Sequence, residues 1–158
     1  MSGNIAIGIQ DFSTIIQGNY FYIDKTPFIK EWWDCGDSAT LITRPRRFGK
    51  TLTMSMVEQF FSIDYAGRSN LFEHLAIWKE EKYRELQGTY PVISLSLARI
   101  KERDYEKTKQ KMCEVLRNIY IKFCYIKDSE KLTDADRAYY ERMLEENIKE
   151  TDATSSLY

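Results

Sequence analysis

The residues of this sequence best suited to chemistry are three in succession, Gly49, Lys50 and Thr51. They follow a short apolar run at residues 39–43 and lead into an amphipathic helical pattern at residues 51–62. In a phosphate-binding loop, the glycine lets the backbone approach the ligand, the lysine contacts the β- and γ-phosphates, and the hydroxyl ligates Mg²⁺. Backbone N–H groups of the loop and of the helix N-terminus supply further contacts. The spacing therefore predicts an anion-binding loop between a strand and a helix.

The pattern of such a loop, G-x-x-x-x-G-K-[ST], has one departure here, because Arg44 replaces the first glycine. That glycine normally starts a tight turn, and the following proline offers another way to make one. Two alternatives stay open: a solvated basic turn, and a small basic patch for nucleic acid. Against the patch, residues 51–62 contain no Lys or Arg. We predict that nucleotide phosphates are bound by Arg44, Pro45, Arg46, Arg47, Phe48, Gly49, Lys50, Thr51 and Leu52, with the Thr51 hydroxyl holding Mg²⁺.

Composition limits the other classes of function. The chain has 158 residues and a formal net charge of −1, so we expect one domain with no global attraction to nucleic acid. Its three cysteines form no C-x-x-C pair, which argues against structural zinc and suits the reducing cytoplasm. No apolar run approaches the length of about 20 residues that a membrane span needs. We expect a cytoplasmic protein with no membrane partner.

The order of helical and extended patterns predicts the fold class. Apolar or β-branched runs at residues 20–23, 39–43 and 91–97 alternate with amphipathic helical patterns. Such alternation favours a parallel sheet covered by helices. We therefore predict an α/β protein, an incomplete P-loop NTPase-type three-layer fold with a small parallel sheet and flanking helices.

Three stretches, "NYFYIDKTPFIKEW", "LITRPRRFGKTLTMSM" and "LFEHLAIWKEEKYRELQGTYPVISLSL", resemble the prokaryotic AAA-ATPase-like family. The resemblance runs from about Ile7 to the end, and arginine at the first glycine position is typical of the family. It implies a P-loop NTPase that binds ATP or GTP with Mg²⁺ and is often followed by a nuclease-like domain of the PD-(D/E)xK type. It also implies that Tyr22, Asp24 and Lys25 line the base or ribose pocket. The residues themselves favour a helix cap for Asp24 and a core position for Tyr22.

An acidic Walker B strand, an apolar run ending in Asp-Glu, has no candidate in this sequence. In the family that strand follows shortly after a segment like "SSLY", so we expect residues 1–158 to be the N-terminal part of the domain, ending before Walker B. Hydrolysis is then expected to be very slow. An open sheet edge invites pairing, and we expect a homodimer through it or a strained monomer. The rival interpretation is a non-enzymatic interaction module or remnant that oligomerises and binds no nucleotide.

Overall fold

Helices form the regular structure of the chain, which the computed structural model describes at residues 4–98, 100–146 and 148–156. Two units are distinguished, Met1–Val92 and Ile93–Tyr158. In the first unit, the described helices are α1 (Phe12–Gln17), α2 (Pro27–Cys35), α3 (Lys50–Phe61) and the short α4 (Glu81–Arg84), with 3₁₀ turns at Ile63–Tyr65, Ser69–Leu71 and Ala76–Lys79. In the second, they are α5 (Tyr105–Lys122), α6 (Asp134–Leu144) and α7 (Glu150–Ser155), with a 3₁₀ turn at Cys124–Asp128.

Local signals in the sequence set the first helices. Asp11 caps α1, because its carboxylate accepts a hydrogen bond from the Thr14 N–H at 2.7 Å. Pro27 occupies the first position of α2, where its missing N–H costs nothing. Gly36 ends that helix in the left-handed region, at φ 64°. The sequence predicts the end of α1 at Gly18 and both ends of α2, at Thr26-Pro27 and at Gly36, and these agree with the structure. The apolar periodicity also places Ile9 in the first helix, which in the structure begins only at Phe12.

An aromatic cluster forms the core of the first unit. The Phe72 ring is fully buried, with its centroid 5.1 Å from those of both Phe12 and Phe60. Phe61 stacks on Trp33 at 5.3 Å. Because Phe12 belongs to α1 and Phe60 to α3, the ring of Phe72 joins the two helices. Burying one such ring contributes about 1.5–3 kcal/mol.

The second unit relies on caps and a smaller cluster. The spacing of Thr133 and Asp136 predicts a capping box, and the two residues form one at the start of α6, with hydrogen bonds of 3.2 and 2.9 Å. The Arg117 guanidinium of α5 donates to the carbonyl of Leu144 at 2.8 Å. Helix α7 was not predicted. No helix in the described parts of either unit has the length and apolar character needed to cross a bilayer.

The predicted α/β three-layer fold with a small parallel sheet is wrong for the described residues. They contain no β-ladder, and the β-pairing found there is one isolated parallel bridge between Ser62 and Tyr90. On one side, the chain turns into the 3₁₀ segment Ile63–Tyr65 directly after the bridge. On the other, Pro91 has no N–H to donate to a continuing ladder. The bridge therefore does not grow into a sheet.

Two of the predicted strands, residues 39–43 and 91–97, also lack the burial that their apolar composition predicts. Leu41 is 85% exposed and Ile93 is 65% exposed, although both were predicted to lie in the core. Apolar and β-branched residues favour an extended backbone, but a strand is stabilised by its cross-strand neighbours. No such neighbour is paired with residues 39–43 or 91–97 in the described structure. The sheet edge expected to mediate a homodimer is accordingly absent from these residues.

Candidate functional site

The predicted phosphate loop leads directly into α3. Arg47 and Gly49 both have left-handed backbones, with φ of 69° and 73°. This conformation is ordinary for glycine and uncommon for arginine. Gly49 is the N-cap of α3, which begins at Lys50, and no described side chain caps this helix. Because the first N–H groups of a helix have no intrahelical acceptor, they are open to an anion at the end of the loop.

The Lys50 side chain reaches back to the start of the loop. Its ammonium group donates hydrogen bonds to the carbonyl oxygens of Arg44 and, at 3.2 Å, Pro45. These acceptors are neutral, so they compete weakly with a charged ligand. The lysine therefore closes the loop while its charge remains uncompensated.

The arginines of the loop share this lack of an acidic partner. Among the described residues, no carboxylate forms an ion pair with Arg44, Arg46, Arg47 or Lys50. Other lysines of the same unit do form ion pairs, as Lys30 does with Glu80. The loop is thus a concentration of positive charge in a chain whose net charge is close to zero.

Two clefts adjoin the loop, and every predicted site residue except Pro45 lines at least one of them. The first, which we call the loop cleft, has a volume of about 490 Å³, and the second, the N-terminal cleft, about 870 Å³. Lys50 lines both. The loop cleft is lined by Asp24, Lys25, Pro27, Phe28, Glu31, residues 40–44, Phe48, Lys50 and Thr53. The N-terminal cleft is lined by residues 6–10, Arg46, Arg47 and residues 49–52.

Asp24 acts as a structural carboxylate. One of its oxygens accepts hydrogen bonds from the N–H and hydroxyl groups of Thr26, at 2.8 and 2.7 Å. The other accepts from the Ala76 N–H at 2.7 Å. Thr26 is fully buried, and its hydroxyl oxygen accepts from the Ile77 N–H at 3.1 Å. Although Asp24 lines the loop cleft, both of its carboxylate oxygens are engaged in these hydrogen bonds, and the N-cap of α2 is Thr26 rather than Asp24.

Tyr22 belongs to the core rather than to a cleft. Its ring lies 5.6 Å from that of Phe12, and its hydroxyl donates to the Met56 sulfur at 3.3 Å. The same hydroxyl accepts a hydrogen bond from the Lys25 N–H at 3.2 Å. Burial raises the pKa of Tyr22 to about 12, so the side chain is a neutral hydroxyl at physiological pH.

Lys25 contacts the loop itself, which sequence reasoning missed. Its ammonium nitrogen lies 3.3 Å from the Phe48 carbonyl oxygen, and a Cβ placed on Gly49 would lie 2.6 Å from it. Glycine at position 49 is favoured by its φ, whereas the lysine ammonium group ends a flexible side chain that can move away from an added Cβ. No local pattern in the sequence signals the contact between Lys25 and Phe48, because the two residues are 23 positions apart.

Comparison with known proteins places the chain in a family. A sequence model described as "Predicted AAA-ATPase" matches residues 6–156. The chain belongs to this AAA-ATPase-like family. It is also 32% identical, over 113 residues, to a protein of Azotobacter chroococcum mcd 1 described as "Uncharacterized protein in vnfD 5'region". That match covers 71% of this AAA-ATPase-like chain and 20% of the relative, so the chain spans about a fifth of the relative's length. No solved structure matches it.

Proposed function

We propose that the loop at residues 44–51 binds the phosphates of a nucleoside triphosphate, ATP or GTP, together with Mg²⁺. The observation that carries this proposal is the start of α3 at Lys50, directly behind a left-handed glycine and without a capping side chain. The helix N-terminus and the uncompensated cations of the loop both favour a multiply charged anion at the same place. Membership of the AAA-ATPase-like family supports the same conclusion.

Each side chain of the loop has a role in this proposal. Lys50 leaves the carbonyls of Arg44 and Pro45 and donates to β- or γ-phosphate oxygens. Arg46 and Arg47 add positive charge close to the phosphates. The Thr51 hydroxyl has no hydrogen-bond partner among the described residues, so it is free to ligate Mg²⁺. Mg²⁺ keeps several waters and binds phosphate oxygens, so one protein ligand suits it.

The proposal is for binding, with very slow turnover by this chain alone. Hydrolysis requires an acid to help hold Mg²⁺ and a group to position the attacking water. Two acids line the loop cleft, and one of them, Asp24, is fully engaged in structural hydrogen bonds. The exposed carboxylate of Glu31 is the acid of this cleft that remains available.

One observation favours the rival function, an interaction module that binds no nucleotide. Ile93, Leu95 and Leu97 are 65%, 45% and 53% exposed, and they occupy alternate positions in a segment outside the described helices. Alternate residues of an extended segment lie on one side, where they offer an apolar surface to another chain. Such a module would self-associate and bind no nucleotide. If the loop is a phosphate site, the chain binds nucleotide in any oligomeric state.

Equilibrium titration with a fluorescent ATP analogue and Mg²⁺ tests the proposal. We expect micromolar binding by the wild-type chain and at least about a hundredfold loss in Lys50→Ala, because a charged hydrogen bond and a central cation disappear. Lys30→Ala is the matched control, since Lys30 is an exposed lysine already paired with Glu80. Failure of the wild type to bind, or equal binding by Lys50→Ala, would contradict the proposal and favour the interaction module.

A further inference from the structure

The backbone around Lys25 is fixed from both sides. Asp24 is bonded to the Ala76 N–H, and the buried Thr26 is bonded to the Ile77 N–H. The N–H of Lys25 itself donates to the Tyr22 hydroxyl at 3.2 Å. A residue held in this way presents its side chain from a firm base, which lowers the entropy lost when that side chain binds.

The side chain of Lys25 extends to the far end of the phosphate loop. Its ammonium group is 3.3 Å from the Phe48 carbonyl oxygen, one residue before the start of the α3 cap. The Lys50 ammonium holds the carbonyls of Arg44 and Pro45, at the near end. Both lysines line the loop cleft. Two ammonium groups thus hold the two ends of one loop beside one cavity.

Lys25 has donors to spare. An ammonium group has three N–H donors, and among the described residues the Phe48 carbonyl oxygen is the one acceptor bonded to it. No described carboxylate forms an ion pair with it. A phosphate oxygen within reach is a better acceptor than a carbonyl, because the hydrogen bond is then charged on both sides.

We propose that Lys25 is a second phosphate-binding lysine of the loop cleft. It holds the Phe48 carbonyl when the cleft is empty and donates to a phosphate oxygen when a nucleoside triphosphate is bound. This inference rests on the proposed function. It gives Lys25 a contact with phosphate, whereas the family resemblance implied a place beside the base or ribose.

Competition with sodium tripolyphosphate, which has neither base nor ribose, tests this assignment. Lys25→Met keeps the length of the side chain and removes its charge, and Lys25→Arg keeps the charge. In Lys25→Met we expect about tenfold weaker binding of both the fluorescent ATP analogue and tripolyphosphate. The affinity of this variant should also fall less steeply with added salt, because one charged contact is lost. The affinity of Lys25→Arg for both ligands should stay within about threefold of the wild-type affinity. The control variant Lys30→Met should bind both ligands as the wild type does.

Two results would overturn the assignment. Weaker binding of the ATP analogue with unchanged tripolyphosphate binding would place Lys25 at the base or ribose. Weaker binding of both ligands with an unchanged salt dependence would make Lys25 a positioning residue that acts through the Phe48 carbonyl. Thermal unfolding checks the fold of each variant, and the neutral, polar Lys25→Gln replaces Lys25→Met if the latter does not fold.

The outcome for Lys50 separates this inference from the function on which it rests. If the wild-type chain binds neither ligand, the proposed function is wrong and the role of Lys25 is wrong with it. If Lys50→Ala abolishes binding and Lys25→Met binds as wild type, the phosphate loop stands and the assignment of Lys25 alone is wrong.

Discussion

Two segments contribute to the loop cleft, residues 22–26 through Asp24 and Lys25, and residues 44–49 through Arg44 and Phe48. They are held in opposite ways. In the first, Asp24 and the fully buried Thr26 are bonded to backbone N–H groups 51–52 residues away along the chain. In the second, the recorded hydrogen bonds to the carbonyls of Arg44, Pro45 and Phe48 come from lysine ammonium groups. One segment is part of the core, and the other is tied by flexible side chains.

This difference determines how easily each segment can change its conformation. A segment with buried, satisfied hydrogen bonds opens only when a large part of the structure opens with it. A loop held by exposed lysines can rearrange locally, because water or a ligand replaces each bond at little cost. We infer that residues 22–26 form the fixed wall of the cleft, and that residues 44–49 adapt to an anion. Matched substitutions on the two sides test this comparison.

The largest contrast is expected between two phenylalanines. Phe72 is fully buried against the rings of Phe12 and Phe60, whereas Phe48 in the loop is 58% exposed. Phe72→Ala should lower the free energy of unfolding by about 3–5 kcal/mol, because it leaves a cavity in the aromatic cluster. Phe48→Ala should cost less than about 1 kcal/mol. Urea denaturation followed by circular dichroism measures both, and similar losses would remove the distinction between core and loop.

A smaller contrast is expected between two threonines. The Thr26 hydroxyl donates to Asp24 and accepts from the Ile77 N–H, so Thr26→Val leaves a buried donor without a partner. We expect it to cost about 1–3 kcal/mol of unfolding free energy. Thr51→Val, at an exposed position, should change stability by less than about 0.5 kcal/mol. If Thr26→Val proved as mild as Thr51→Val in the same denaturation assay, the wall would not be fixed by these bonds.

The features that were predicted correctly from the sequence are those that depend on neighbouring residues. The end of α1, both ends of α2, the start of α3 within one residue and the capping box of α6 all follow from side chains within four positions. The identity of the loop residues follows in the same way, because glycine, lysine and threonine occur in succession. Their family was also recognisable, and the match over residues 6–156 confirms it.

The features that were predicted wrongly or missed depend on residues far apart in the sequence. Composition at residues 39–43 and 91–97 indicates an extended backbone, but a sheet needs a second segment in register, and the described chain provides no ladder. The contact between Lys25 and Phe48 joins residues 23 positions apart, and no local pattern specifies it. Hydrophobic periodicity indicates which side chains lie on the same face of a helix or strand. It does not specify which other segment packs against that face.

The smallest predicted effect is a pH dependence of stability that arises from Asp11. This residue joins α1 to α3 through its carboxylate. Its carboxylate accepts hydrogen bonds from Ser13, Thr14 and, on α3, Gln59. Burial alone would raise the pKa of Asp11, but these hydrogen bonds outweigh it and lower the pKa below its ordinary value of 3.8.

A carboxyl group with a lowered folded-state pKa stabilises the fold above its unfolded pKa, and the benefit is lost as pH falls through the folded value. The excess stability of wild type over Asp11→Asn should therefore be constant above about pH 5 and decline below about pH 4. Asparagine still caps α1, so little should remain of the difference at the acid end. Urea denaturation of both proteins across this range gives the difference directly. A difference that did not vary with pH would mean that the carboxylate charge of Asp11 contributes nothing to the attachment of α1 to α3.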